Sequence, residues 1–461
     1  MSLLAAFMVP HPPLIVPDVG QGEEAQIQET TDAYEEVARQ IAHLQPDTII
    51  ITSPHSIMYS DYFHISPGNK ASGSFARFNA PQVRFNEEYD TQLVKRICEL
   101  ADEEDFPAGT LGQRDASLDH GTMVPLYFIR KHYQGGKIVR IGLSGLDLMK
   151  HYHLGQLIAQ AIDDLDRNAV IIASGDLSHK LQTYGPYGFS PQGPEYDKRI
   201  MDVCGRSAFD ELFSFTEDFC EKAAECGHRS FVIMAGAFDG FSVEANVLSH
   251  QDVTGVGYGI CTFYPQEKDG NRHFLKRYED SLTNELRNRY DQADAYVKLA
   301  RQTIETYVIS GKRPEVPDDL PEEMLMRKAG TFVSIHENDR LRGCIGTIMA
   351  TKKNIAQEII SNAISACSRD PRFHPIQAEE LPFLDISVDV LGDAQDIGSM
   401  EELDVKRYGV IVSQKGRVGL LLPDLEGVDT VEEQIRIAAQ KGGIDLDEDY
   451  QLQRFEVIRH A

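Results

Sequence analysis

Five short stretches set histidine, carboxylate or thiol side chains directly against apolar runs. Leu3 to Val9 is apolar and runs into Pro10-His11-Pro12. Thr48-Ile-Ile-Ile-Thr52 runs into Ser53-Pro54-His55, and Asn168-Ala-Val-Ile-Ile-Ala173 runs into Ser174-Gly-Asp176-Leu-Ser178-His179. Asp119-His120 stands just ahead of the apolar segment that ends at Ile129, and Glu225-Cys226-Gly-His228 stands ahead of another, Phe231 to Phe238. Neutral imidazoles with one carboxylate, leaving coordination positions open, suit non-haem Fe(II) that binds oxygen. A further histidine beside such a centre moves protons near neutral pH. Residue types alone do not separate iron from zinc or manganese. One histidine in a loop is usually a solvated or hydrogen-bonded side chain. The weight here comes from repetition at one topological place, the ends of successive buried strands.

Positioning these groups is the task of a crossover fold. Proline fixes its own φ and pushes its neighbour toward extended geometry, so His11 sits on a stiff elbow. Open α/β sheets place ligands at the carboxyl ends of their strands. Glu23 to Leu44 has helical periodicity, with Ile27, Tyr34, Val37, Ala38 and Ile41 on one face. Strand, helix and strand of these lengths make a right-handed parallel unit. Further strands are expected over Lys137 to Leu143, Phe241 to Leu248 and Gly257 to Tyr264, and helices over Glu87 to Ala101 and Tyr152 to Leu165. Residues 67–85, rich in Gly, Asn and Ser, read as a loop over the site. Residues 266–284 are polar and read as a linker between domains at 1–265 and 285–461. The second part alternates helices with strands, has a turn at Asn338-Asp339, and reads as α+β with an antiparallel sheet.

The chain of 461 residues suits two domains with separate cores. Its net charge of −27 argues against binding nucleic-acid phosphates or anionic membranes. No apolar run reaches membrane-span length and no signal peptide is visible, so a cytoplasmic location is expected. The seven cysteines include no CxxC pair, which fits free thiols in a reducing compartment.

Taken together, Pro-His11-Pro-Pro, Ser-Pro-His55, Leu-Asp-His120-Gly-Thr-x-Val-Pro-Leu and Gly-Asp-Leu-Ser-His179 resemble the class III extradiol ring-cleavage dioxygenases of the LigB type across residues 1–265. The resemblance implies an α/β domain holding Fe(II) through two histidines and a glutamate. His11 and His55 match the histidine ligands. His179, with Asp176 beside it, matches the acid/base that deprotonates a bound catechol, and His120 matches a histidine lining the substrate and oxygen pocket. Asp119 and Ser178 are the implied substrate-binding neighbours. For the third ligand the preference is Glu225 on chemical grounds, with Cys226 the alternative. Cys226-Gly-His-Arg is similar to the Cys-Gly-Arg-His segment of Memo, where cysteine replaces the glutamate. Glu244 is a further option, though it alternates with apolar neighbours like an ordinary strand residue. The implied activity is extradiol cleavage of a small catechol-like aromatic with O2.

Leu341-Arg342-Gly-Cys344-Ile-Gly-Thr347, Asp370-Pro-Arg372-Phe and Gly419-Leu-Leu-Leu-Pro423 resemble the AMMECR family, a smaller α+β domain with no settled activity. Arg342 and Cys344, with Asp370 and Arg372, are its candidate binding surface. A tight turn around a small buried cysteine is the plain alternative. The two resemblances together imply a homodimer and a radical S-adenosylmethionine protein as partner. They also allow a second function, a Memo-like metal-binding or redox accessory without ring cleavage.

Overall fold

Strands that are buried on both faces read as unbroken apolar runs, and three of them form the middle of a mixed sheet here. The structure is a computed structural model describing residues 2–338, 340–425 and 427–461. The chain divides after Glu279 into two units.

In the first unit, β1 (Leu3–Val9) leads through a proline elbow to helix α1 (Gln28–Leu44) and strand β2 (Thr48–Ser53). A hairpin follows, β3 (Lys70–Phe75) and β4 (Ala80–Glu88), then helices α2 (Thr91–Glu103) and α3 (His120–His132). Strand β5 (Lys137–Gly142), helix α4 (Leu148–Asp164), strand β6 (Ala169–Ser174) and helices α5 (Gln192–Gly205) and α6 (His228–Gly236) complete the crossovers. Strands β7 (Phe241–Gln251) and β8 (Tyr258–Lys268) close the sheet. Its order is β5-β2-β6-β1-β8-β7. β2, β5, β6 and β1 are parallel, whereas β8 pairs antiparallel with both β1 and β7.

Residues of β2 and β6 are buried throughout, and the apolar faces of α1 and α4 pack on opposite sides of the sheet. Truncating a central residue such as Ile50 to Ala would cost about 2–5 kcal/mol. Helices α4 and α6 touch backbone to backbone. A Cβ on Gly236 would lie 1.9 Å from the Tyr152 carbonyl, and one on Gly155 2.0 Å from that of Ile233.

Three segments differ from expectation. The segment 67–85, read as a loop, is mostly the β3–β4 hairpin, pinned by Ala71, Phe75, Ala80 and Phe85 in the core. Helix α2 starts later than Glu87, because Asp90 caps it by accepting the Leu93 amide at 3.1 Å. The polar stretch read as a linker continues β8 to Lys268 and then forms helix α7 (Phe274–Gln292), within which the division between units falls. Phe274, Leu275 and Leu286 bury the apolar side of that helix despite its charged composition.

In the second unit, helix α8 (Ala295–Ser310) precedes β9 (Thr331–Glu337), β10 (Arg340–Gly346), helix α9 (Ile355–Ser368) and β11 (Leu384–Leu391). Then come β12 (Gln395–Ile397), β13 (Tyr408–Gln414), β14 (Arg417–Leu421), helix α10 (Val431–Gly442) and β15 (Gln451–His460). The seven strands are antiparallel in the order β10-β9-β11-β15-β13-β14, with β12 also on β15. At the expected turn, Asn338 has a φ of 51°, and Asp339 lies outside the described residues.

Candidate metal centre

The carboxyl ends of β1, β2 and β6 bring their polar residues together beside the starts of α3 and α6. His11 is held on three sides. The Pro10 carbonyl accepts the Tyr34 hydroxyl from α1, and the His11 amide donates to Asp176 Oδ1 at 2.7 Å. His11 Nδ1 lies 3.0 Å from Ser174 Oγ, whose hydroxyl donates to the Gly121 carbonyl at 2.6 Å. With its one proton committed, that oxygen accepts from Nδ1–H. The tautomer therefore leaves the lone pair of Nε2 aimed inward.

His55 enters from the end of β2. Its amide donates to Ser53 Oγ at 3.2 Å, and that hydroxyl donates to Asp119 Oδ1 at 2.6 Å. Nε2 of His55 faces Nε2 of His11 at 3.0 Å. His120 stacks on His55 with ring centroids 4.0 Å apart, and Phe78 meets its ring at 5.5 Å. Gly121 allows this approach, since a Cβ there would sit 2.4 Å from Ser53 Oγ.

The third candidate donor is sulfur. Cys226 Sγ lies 3.6 Å from His11 Nε2 and accepts the Asp176 amide at 3.3 Å. It is brought there by two glycines, as a Cβ on Gly175 would fall 2.0 Å from Gly227 Cα. The ligand atoms of His11, His55 and Cys226 all lie within 4.8 Å of one another, as do those of Asp176, His179 and Cys226. Such spacing fits a first-row ion with bonds of about 2.0–2.3 Å to nitrogen and sulfur. Glu225, preferred from the sequence, is placed elsewhere. Its carboxylate accepts the His228 amide at 2.6 Å, and burial raises it to about 7. Glu244 is exposed on β7, outside the cluster.

Asp176 and His179 stand next to the sulfur. His179 Nε2 lies 3.9 Å from Asp176 Oδ2, and its ring stacks on Tyr187 at 5.0 Å. This buried Nε2 has no hydrogen-bond partner among the described residues. Burial raises the Asp176 carboxyl and lowers His179. It also lowers His11, with His55 adding to the effect, and brings His120 down to about 3 together with its neighbours His55 and His11. At neutral pH these imidazoles are uncharged and offer lone pairs. Burial, with the nearby Asp176 and Glu225 carboxylates, pushes the Cys226 thiol well up, and a bound cation would favour its thiolate.

Of the two implied substrate-binding neighbours, both serve the frame. Asp119 caps α3, accepting from the Thr122 amide at 3.0 Å and hydroxyl at 2.9 Å. The Ser178 amide donates to Asp197 Oδ1 at 2.8 Å and its hydroxyl to the Ala223 carbonyl at 2.8 Å. Buried Arg140, unforeseen from sequence, donates to the carbonyls of Ser117 and Asp115 and so fixes the approach to His120. An arginine inside an apolar strand run was the available signal. A cleft of about 880 Å³ runs from His55 and His120 along the β3–β4 hairpin.

In the second unit the candidate side chains hold one another. Arg342 pairs with Glu380 at 2.7 and 3.2 Å and donates to the His374 carbonyl at 2.8 Å. The Cys344 amide donates to Asp370 Oδ2 at 2.9 Å, its thiol accepts from Ser334 Oγ at 3.3 Å, and Arg372 spans Asp370 and the Cys344 carbonyl.

Comparison with known proteins agrees with this division. The family described as the catalytic LigB subunit of aromatic ring-opening dioxygenase matches residues 5–261, and the AMMECR1 family matches residues 297–460. A protein of Clostridium acetobutylicum is 43% identical over 468 residues, covering 100% of this chain and 99% of its own length. A protein of Thermotoga maritima is 51% identical over 167 residues, 36% of this chain and 96% of its own. A crystal structure of an uncharacterized protein from Pyrococcus horikoshii has 33% identity over 36% of this chain and 88% of that one, with a TM-score of 0.33. Among the described residues no helix is long and apolar enough to cross a membrane. With LigB-type sequence over more than half its length and a full-length relative that shares both parts, the chain belongs to the LigB family and carries an AMMECR1 domain behind the LigB domain.

Proposed function

We propose that the LigB domain is a metal-dependent redox protein acting on a small molecule, with its metal held by His11, His55 and Cys226. The observation that carries this reading is the position of Cys226 Sγ, 3.6 Å from His11 Nε2, while the neighbouring carboxylate of Glu225 is committed to the His228 amide. A soft thiolate beside two imidazoles suits iron or copper better than magnesium, calcium or manganese. When bound, such an ion supplies Lewis acidity and one-electron chemistry. The rest is done by the chain. Ser174 keeps the His11 lone pair inward. His179, uncharged at neutral pH, takes a proton from an acidic group of the ligand, and the Asp176 carboxylate steadies the resulting imidazolium. His120 and Phe78 wall the entrance with aromatic surface.

The test is loading with Fe(II) or Cu(II) and recording the sulfur-to-metal charge-transfer absorption. It is expected in the unaltered protein and in Glu225→Gln, and absent in Cys226→Ser. An unchanged spectrum in Cys226→Ser would overturn the assignment.

A second reading, extradiol opening of a small catechol-like aromatic with O2, is favoured by one feature, the pairing of His179 with Asp176 close to the ligand cluster. Anaerobic Fe(II) loading followed by O2 uptake on a catechol panel tests it. Turnover lost in His179→Ala supports it, and no turnover of any catechol by the loaded protein rejects it.

A further inference from the structure

The cleft beside His55 and His120 has a wall of unusual composition. In the β3–β4 hairpin, Ser72 pairs with Asn86 and Ser74 with Arg84, so the four side chains share one face by the two-residue period of strands. The next rung on that face, Lys70 and Glu88, is charge-balanced, with an ion pair at 3.4 Å. The two rungs inside the cleft have no acid. Among the described residues Arg84 spends only Nε, on the Pro81 carbonyl at 2.9 Å. Arg77, on the turn joining the strands, makes no hydrogen bond or ion pair among the described residues and feels Asp115 only through space. The acids that line the cleft are engaged. Asp115 accepts from the Ser117 amide and hydroxyl, and Asp119 from Ser53 and Thr122. Arg140 is spent on Ser66, Ser117 and Asp115.

The wall therefore presents the Arg77 guanidinium and the Nη1/Nη2 end of Arg84, with two hydroxyls and one amide, in a chain whose net charge is −27. A carboxylate has two oxygens and is filled by one guanidinium fork. Two forks with added hydroxyl donors suit the three terminal oxygens of a phosphate group. Phe78, next to Arg77 in the chain, meets the His120 ring at 5.5 Å, and all three line the same cleft, so a ligand held on this wall reaches aromatic surface and the histidine cluster.

We propose that the β3–β4 hairpin binds the phosphate group of a small phosphate ester through Arg77 and Arg84, with the rest of the ligand reaching toward His55 and His120. This deepens the reading of the cleft as the ligand site of the metal centre and rests on it for the second half of the claim.

Binding of phenyl phosphate, inorganic phosphate and benzoate to the full chain, followed by calorimetry or ligand-observed NMR, tests it. The order expected is phenyl phosphate tightest, inorganic phosphate weaker and benzoate weakest. Arg77→Ala with Arg84→Ala should weaken phenyl phosphate by about tenfold or more. The same double variant should leave metal loading and its absorption unchanged, which also shows that the domain is folded. Cys226→Ser should lose that absorption yet still bind inorganic phosphate, so failure of the metal reading is distinguishable from failure of the phosphate reading. Benzoate binding as tightly as phenyl phosphate, equal affinity in the double variant, or no saturable phosphate binding at millimolar concentration would each overturn the proposal.

Discussion

The two sequence signatures of this chain, one in each unit, differ in what their side chains have left to offer. Around Arg342, Cys344, Asp370 and Arg372 the donors and acceptors meet one another, and the cluster ties strand β10 to the loop after α9. Around His11, His55 and Cys226 the hydrogen bonds run outward to a supporting frame, while the ligand atoms face each other across 3.0 and 3.6 Å. Buried polar atoms usually find partners. Of the three residues only His11 is buried, with Cys226 half-buried and His55 exposed, and lone pairs aimed at one another at these distances call for a shared proton or a cation between them. Chemistry-bearing residues therefore mark a site by their unspent capacity, and both clusters have the residue types while only the His11/His55/Cys226 cluster has the capacity.

The largest effect that would break the comparison is on His11. His11→Ala should remove tight metal binding, read by metal content after dialysis, while circular dichroism stays near that of the unaltered protein. Next is the supporting frame. Ser174→Ala frees the His11 ring and should lower metal affinity by roughly 10–100-fold, measured by competition with a chelator. Smaller still, and confined to stability, is Asp370→Ala, expected to cost about 1–3 kcal/mol in denaturant unfolding and to leave metal content untouched.

That last term has a pH signature. Arg372 beside Asp370 holds its carboxyl well below the usual carboxylate range, so the folded value is the lower of the two. The stabilisation is complete above the unfolded value of about 3.9 and is lost as pH falls through the folded one. The stability gap between the unaltered protein and Asp370→Asn should shrink below about pH 4. The smallest effect is that of Cys344→Ser, a near-isosteric change at a half-buried thiol, which should shift stability by less than about 1 kcal/mol.

The sheet was legible in sequence because β1, β2 and β6 are buried on both faces and so spell continuous apolar runs. The elbow histidines were legible because proline fixes where each strand stops. The β3–β4 hairpin was not, since Ala71 and Gly73 give its inward face little hydrophobic signal and its serines read as loop. Helix α7 was hidden by its charge, with only Phe274, Leu275 and Leu286 buried. The choice between Glu225 and Cys226 could not be read from adjacency. Two neighbours at a helix start point in different directions, and which one meets His11 depends on the Gly175–Gly227 contact, made between residues distant in the chain. Arg140 was passed over because a strand inside a core seldom carries a charge, and only the surrounding carbonyls explain it.

The most direct measurement is X-ray absorption at the metal edge of the protein loaded with iron or copper. A first shell of nitrogen scatterers with one sulfur at about 2.3 Å is the expected result. A shell of nitrogen and oxygen alone, unchanged when Cys226 is replaced by serine, would contradict the two-imidazole, one-thiolate centre.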